Sequence, residues 1–182
     1  MSTRVFLRSF NKSDAPTIFK WGQDDYYQRL GGFQHYENLT QAEAAVNQYT
    51  ARKYSYAVCL HQNQQLVGLV ELYERGTNEQ DLLKTKEVGF LLDKNFSGHG
   101  LMTEALTLLF TYAFGQLKQK ELWAGTFKDN LRSQKLLQRL GFHYVYAVDL
   151  GQISDIFTYE EKYYLLKKAD WLKGQSKENL KY

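Results

Sequence analysis

The sequence has one proline, Pro16, one cysteine, Cys59, and no run of like charges. A single cysteine excludes an intramolecular disulfide, and no Cys/His group has zinc-ligand spacing. No stretch is apolar for long enough to cross a bilayer, and the N-terminal MSTRVFLRSF lacks the apolar centre of a signal peptide. The expectation is a cytoplasmic protein without a membrane partner. The net charge of +3 is too small and too dispersed for a nucleic-acid track. What the chain does have is 15% aromatic residues, mostly Tyr and Phe, within a hydrophobic fraction of 43%. Those proportions suit a globular core rich in strands.

Hydrophobic periodicity divides the chain into alternating elements. Thr3 to Phe10 alternates as a strand. Ser13 and Asp14 offer an N-cap, with Pro16 in the first turn of a helix to about Gln23. Asp24 to Asn38 has two glycines and several aromatics without a clear period, and reads as a loop with room for one short helical turn. Thr40 and Glu43 form a capping box for a helix to about Lys53. Ser55–Leu60 and Leu66–Glu74 predict a hairpin across the polar His61–Gln65. After a loop over Gly76–Leu83, Lys86–Leu92 ends in the continuous apolar run of a strand covered on both faces. A helix from Leu101 to Leu117 is apolar around most of its circumference, so it is expected between layers. Glu121–Phe127 is a strand and Asn130–Leu140 a helix, with Gly141 at the left-handed C-cap position. Phe142–Leu150 and Ile156–Leu166 close the fold as a hairpin. The expected class is a mixed α/β domain over residues 1–168, with a mostly antiparallel seven-stranded sheet covered by helices on both faces. A polar tail over 169–182 is expected to fray.

The chemistry concentrates in one strand, glycine turn and helix. Gly98 and Gly100 allow a tight turn and close approach of another molecule to the backbone. The first helical turn offers unpaired N–H groups and the positive end of the helix dipole, which together bind phosphate oxygens. Two glycines are equally compatible with a purely structural turn. The chain lacks both the Gly-x-x-x-x-Gly-Lys-Ser/Thr loop and a complete Gly-x-Gly-x-x-Gly.

The segment EVGFLLDKNFSGHGLMTEAL, Glu87 to Leu106, resembles the acetyl-CoA-binding core of GNAT-family N-acetyltransferases. Within that family it is most similar to the ribosomal-protein N-terminal acetyltransferases. The family loop Arg/Gln-x-x-Gly-x-Gly/Ala falls on Ser97 to Met102, where Gly100 keeps the central glycine while Ser97 and Met102 depart from the pattern. GHGLMTEA, Gly98 to Ala105, fits the branch's own version closely. Downstream, DNLRSQKLLQRLGF resembles the branch's Asn-x-x-Ser-x-x-x-Leu-x-x-Leu-Gly-Phe, with Asn130, Ser133, Leu137, Gly141 and Phe142 in register.

The resemblance implies a splay between the fourth and fifth strands. It implies pantetheine pairing with the backbone of Phe90, Leu91 and Leu92, and a pyrophosphate on the amides of Ser97, Gly98, His99, Gly100, Leu101, Met102 and Thr103. Asn130 would lie near the far end of the pantetheine. The partners implied are acetyl-CoA and a primary amine, either a protein N-terminus or a small molecule. No metal and no nucleic acid are expected, and the chain would be a monomer or homodimer.

Direct acetyl transfer needs a neutral amine, a stabilised thioester oxygen and a stabilised leaving thiolate. Glu87, where similar enzymes carry a catalytic glutamate, is the expected base; its alternative is a solvent-facing strand residue. Glu71 is a second candidate, and His35 and Tyr36 are weaker ones. Ser133 is expected at the CoA sulfur, since the position where many relatives have a tyrosine acid is Leu137 here. A backbone N–H near Leu91 or Leu92 would polarise the thioester. Glu104 reads as a favourable charge in the first helical turn, His99 as facing water, and Cys59, Trp21, Trp123 and Trp171 as packing residues. The runner-up function is a non-catalytic acyl-CoA-binding module on the same fold; a nucleotide-binding α/β protein is third, because its loops are missing.

Overall fold

The computed structural model describes residues 3–76, 78, 84–149 and 159–179. Along the chain run β1 (Val5–Arg8), α1 (Ala15–Gly22), α2 (Asp25–Gly31), α3 (Leu39–Ala51), β2 (Ser55–Leu60), β3 (Leu66–Glu74), β4 (Thr85–Leu92), α4 (Leu101–Gly115), β5 (Glu121–Phe127), α5 (Leu131–Arg139), β6 (His143–Asp149), β7 (Glu160–Lys167) and α6 (Lys168–Asn179). The sheet has seven strands in the order β1-β2-β3-β4-β5-β7-β6. Pairing is antiparallel in β1–β2, β2–β3, β5–β7 and β6–β7, and parallel in β4–β5. The β4–β5 ladder covers only Thr85–Glu87 against Glu121–Trp123, while the strands run on to Leu92 and Phe127. This is the interrupted ladder that the resemblance implied.

The chain forms two compact units, Met1–Leu72 with Phe90–Phe110, and Tyr73–Gly89 with Thr111–Tyr182. The core of the first gathers Phe10, Ile18, Trp21, Tyr36, Val46 and Leu69 from α1, α3, the hairpin and the chain around them. In the second, Leu122, Ala124, Leu137, Phe142, Tyr164 and Leu166 are buried. Their alternation along β5 and β7 is what gave those strands a legible period.

Several local expectations shift. Asn11, not Ser13, opens the first helical segment: its side chain accepts from the Ser13 amide, and a 3-10 turn leads into α1. Asp14 cannot cap α1, because its carboxylate accepts from Arg8 and from the Asn11 amide. The stretch expected as loop with room for one short helical turn contains α2, capped by Asp24 at the Tyr26 amide and ended by Gly32 at φ 62°. Asn38, not Thr40, caps α3, and the Gln41 side chain reaches back to the Glu37 amide. The expected fraying tail is helical through α6, whose Trp171 is buried against Phe114 with ring centroids 6.3 Å apart. Parts of three sequence-based expectations lie outside the described residues. These are most of the Gly76–Leu83 loop, the hairpin turn with Ile156 at the start of its second strand, and residues 180–182.

Candidate active site

The glycine turn takes the form that its residues require. Gly98 and Gly100 have φ of 84° and 78°, a region that side chains other than glycine adopt at a cost. A 3-10 turn over Lys94–Phe96, capped by Asp93 at the Asn95 amide, carries the chain from β4 into this turn. Asp93 is itself buried and held by the Trp21 indole N–H at 3.0 Å. Gly68 on β3 makes room for the end of β4, since a Cβ there would lie 2.5 Å from the Leu91 carbonyl oxygen. The first helical amide to find a partner is that of Glu104, 3.1 Å from the Gly100 oxygen. Among the described residues, the amides from Gly98 to Thr103 donate no hydrogen bond within the protein. The Ser97 amide differs, because it donates to the Lys94 oxygen at 3.3 Å. His99 is exposed, with Nδ1 3.4 Å from the Phe96 oxygen.

The second unit presents one partly open sheet face. Along β5, Trp123, Gly125 and Phe127 alternate with buried Leu122, Ala124 and Thr126. Glu87 is in register with Trp123, Tyr163 with Gly125, and Glu161 with Phe127, so these side chains share that face. Glu87 is ion-paired to Arg75, which also donates to the Tyr146 hydroxyl at 2.7 Å. The Arg75 guanidinium lies 4.5 Å from the Trp123 ring centroid and 5.0 Å from that of Tyr163. Burial pulls this guanidinium down, but the hydrogen bond and charge of Glu87 outweigh it, and the net shift is upward. Burial raises the Glu161 carboxyl above the usual range, and the Tyr163 hydroxyl, 2.9 Å from Oε2, only partly offsets it.

Ser133 is half-buried on the first turn of α5. Asn130 caps that helix, its Oδ1 accepting from the Ser133 amide at 3.1 Å. No hydrogen bond engages the Ser133 hydroxyl among the described residues. Leu137, one turn later, is fully buried, so the position of the tyrosine acid serves the core here.

The acetyltransferase (GNAT) domain model matches residues 4–143. The chain belongs to the GNAT acetyltransferase family. A Bacillus subtilis relative named "Probable N-acetyltransferase YjcK" is 34% identical over 143 residues, covering 75% of this chain and 71% of the relative. Among solved structures, a GNAT-family acetyltransferase from Bacillus anthracis superposes with a TM-score of 0.79 at 17% identity, covering 92% of this chain and 96% of that one. RimL, a ribosomal L7/L12 alpha-N-protein acetyltransferase, gives 0.74 at 17% identity, covering 91% of both chains. At these identities the structural likeness is one of fold.

For a GNAT acetyltransferase the donor is acetyl-CoA, and the free amides between Gly98 and Thr103 fit its pyrophosphate. Nothing lies within 4 Å of a Cβ built on Gly98, so the turn is open there. Glu104 is structural, as expected, but through a partner the sequence did not reveal. The Arg4 amide and Nε donate to its carboxylate at 2.8 and 2.7 Å, and Arg4 also donates to the His99 oxygen at 2.7 Å. Glu71 is buried and accepts from Arg52 and Ser55 at 2.9 and 2.7 Å. Tyr36 is a core residue whose hydroxyl is pushed up by burial, and His35 lies 3.1 Å from the Gln28 amide nitrogen. Cys59 is buried, which raises its thiol. Trp21 and Trp171 pack as expected, whereas Trp123 is only half-buried beneath Arg75. Sequence reasoning missed Arg4, Arg75 and Glu161. The alternation of β7 could have put Glu161 beside Tyr163, but nothing local signals the cross-strand contacts. Among the described residues no His, Cys, Asp or Glu cluster could hold a metal, and no helix is long and apolar enough to cross a membrane.

Proposed function

We propose that this GNAT acetyltransferase carries the acetyl group of acetyl-CoA directly to a primary amine, on a protein N-terminus or on a small molecule. The observation that carries the proposal is the run of unengaged amides from Gly98 to Thr103 in a turn held open by two positive-φ glycines. These donors suit a diphosphate, and the backbone of Phe90, Leu91 and Leu92 just before them is proposed to pair with the pantetheine arm. Asn130 and Ser133 are proposed at the reacting end. The unengaged Ser133 hydroxyl donates to the departing sulfur and offsets its growing negative charge. Glu87 belongs to the amine side of the proposal, as a carboxylate whose Oε2 is ion-paired to Arg75. A non-catalytic acyl-CoA-binding module is not favoured, because the family match spans the helix that carries Ser133.

The test is release of CoA thiol from acetyl-CoA against a panel of N-terminal peptides, amino acids, polyamines and aminoglycosides. Turnover with at least one class is expected. Acetyl-CoA binding without thiol release across the whole panel would overturn the proposal and restore the binding module.

A further inference from the structure

Among the described residues, Glu161 is the carboxylate on the open face that no cation neutralises directly. Its Oε2 accepts from the Tyr163 hydroxyl at 2.9 Å, and this is its hydrogen bond among the described residues. Its Oε1 lies over Gly125, where a Cβ would overlap the carboxylate. On this face of β5 the neighbours of Gly125 are bulky: Trp123 lies to one side and Phe127 to the other. The missing side chain thus leaves Oε1 lying over bare β5 backbone, flanked by rings. Tyr146 and Tyr163 stack at 5.0 Å and Trp123 lies 6.0 Å from Tyr146, and this wall of rings already holds one cation, the Arg75 guanidinium. Glu87, by contrast, has its charge paired with the Arg75 guanidinium through Oε2.

We propose that Glu161, through Oε1, receives the acceptor's ammonium and takes its proton. The assignment rests on the acetyl-transfer proposal. The ammonium loses one proton to Oε1, and the freed nitrogen lone pair forms a bond to the thioester carbonyl carbon. The C–S bond breaks and its electron pair stays on sulfur. A second proton from the nitrogen goes to that sulfur, leaving an amide and CoA thiol, and Glu161 returns its proton to water. The groups facing Glu161 are Tyr163 on β7, Glu87 from β4, Arg75 from the chain after β3, and Tyr146 from β6 by way of Tyr163. From β5 it faces Gly125 and is in register with Phe127, neither of which carries charge. Burial and the Glu87 charge raise the Glu161 carboxyl, against the pull of Tyr163 and Arg75. The active form is the carboxylate, so activity falls as the pH drops through that raised value. Wild type therefore has an acidic limb above the ordinary glutamate range.

The experiment is kcat and kcat/KM for the amine as a function of pH, with acetyl-CoA affinity measured separately. Glu161→Gln is expected to lower kcat by about 10²- to 10⁴-fold and to remove the acidic limb, with acetyl-CoA affinity unchanged. Glu161→Asp is expected to keep part of the rate with a displaced limb, and so carries the test if the Gln variant fails to fold. Gly125→Ala, which displaces the carboxylate and leaves its charge, is expected to lower kcat as well. A Glu161→Gln enzyme within about threefold of wild type, its acidic limb intact, would overturn the assignment alone. A limb that disappears in Glu87→Gln but survives in Glu161→Gln would hand the role to Glu87. Wild type that releases no thiol with any amine would overturn this assignment together with the acetyl-transfer proposal.

Discussion

A serine on the first turn of a helix commonly turns its hydroxyl back to the backbone. Ser133 does not: Asn130 caps the helix at the Ser133 amide, and among the described residues no backbone group engages the Ser133 hydroxyl. The hydroxyl is left with a donor to offer, and α5 is fixed behind it by buried Leu136 and Leu137. A hydrogen bond to a charged group contributes about 1.5–3 kcal/mol, so Ser133→Ala should lower kcat roughly 10- to 100-fold. Acetyl-CoA affinity should hold, since the grip proposed for the donor lies on backbone amides of a different helix. Steady-state kinetics beside a direct binding measurement separates the two quantities, and unchanged kcat would remove Ser133 from the reaction. Asn130 has a structural role beside the one the resemblance implies near the pantetheine: it caps α5, a position that Asn favours in helices generally.

At the scale of elements, the parts that read clearly from sequence are those where one face alternates or one stripe is apolar. β2, β3, β5 and α4 fall within a residue or two of their expected bounds for that reason. The parts that did not read are held by caps and by single anchors. α2 has no apolar stripe to display, and its signals are Asp24 at one end and Gly32 at the other. α6 is polar along most of its length and is held by Trp171. The glycine turn lies between these cases: its position was legible, but the contribution of Arg4 was not, because Arg4 and Glu104 are far apart in the chain. Gly100 is the sensitive point of that turn, with φ of 78° and the Arg4 guanidinium 3.4 Å from where a Cβ would stand. Gly100→Glu strains the backbone, crowds Arg4 and sets a negative charge beside the proposed pyrophosphate. Like charges about 4 Å apart near a surface repel by about 4 kcal/mol, so affinity for acetyl-CoA should fall by roughly a thousandfold. Calorimetric titration gives the number, and near-normal affinity in a folded Gly100→Glu protein would sink the loop assignment.

At the scale of the molecule, the residues proposed for the donor's phosphates, Gly98 to Thr103, and those proposed to pair with its pantetheine, Phe90 to Leu92, belong to one compact unit. Donor recognition by main-chain N–H groups therefore predicts stabilisation by the donor before any amine is present. A ligand at about 100 times its Kd adds about 2.7 kcal/mol to a native state that alone binds it. For a chain of this length each kcal/mol is worth about 2–4 °C, so saturating acetyl-CoA should raise Tm by about 5–10 °C. Free CoA should give a rise of the same order, because the amides meet the diphosphate and not the acetyl group. NAD and ATP also carry diphosphates, but they lack a pantetheine to lie along Phe90–Leu92, so they should shift Tm much less. A thermal-shift series over these four ligands distinguishes the contributions. A Tm that responds equally to all four would mean that the turn holds any diphosphate and that the strand end adds nothing. A Tm that responds to none would mean that these donors do not face the ligand at all.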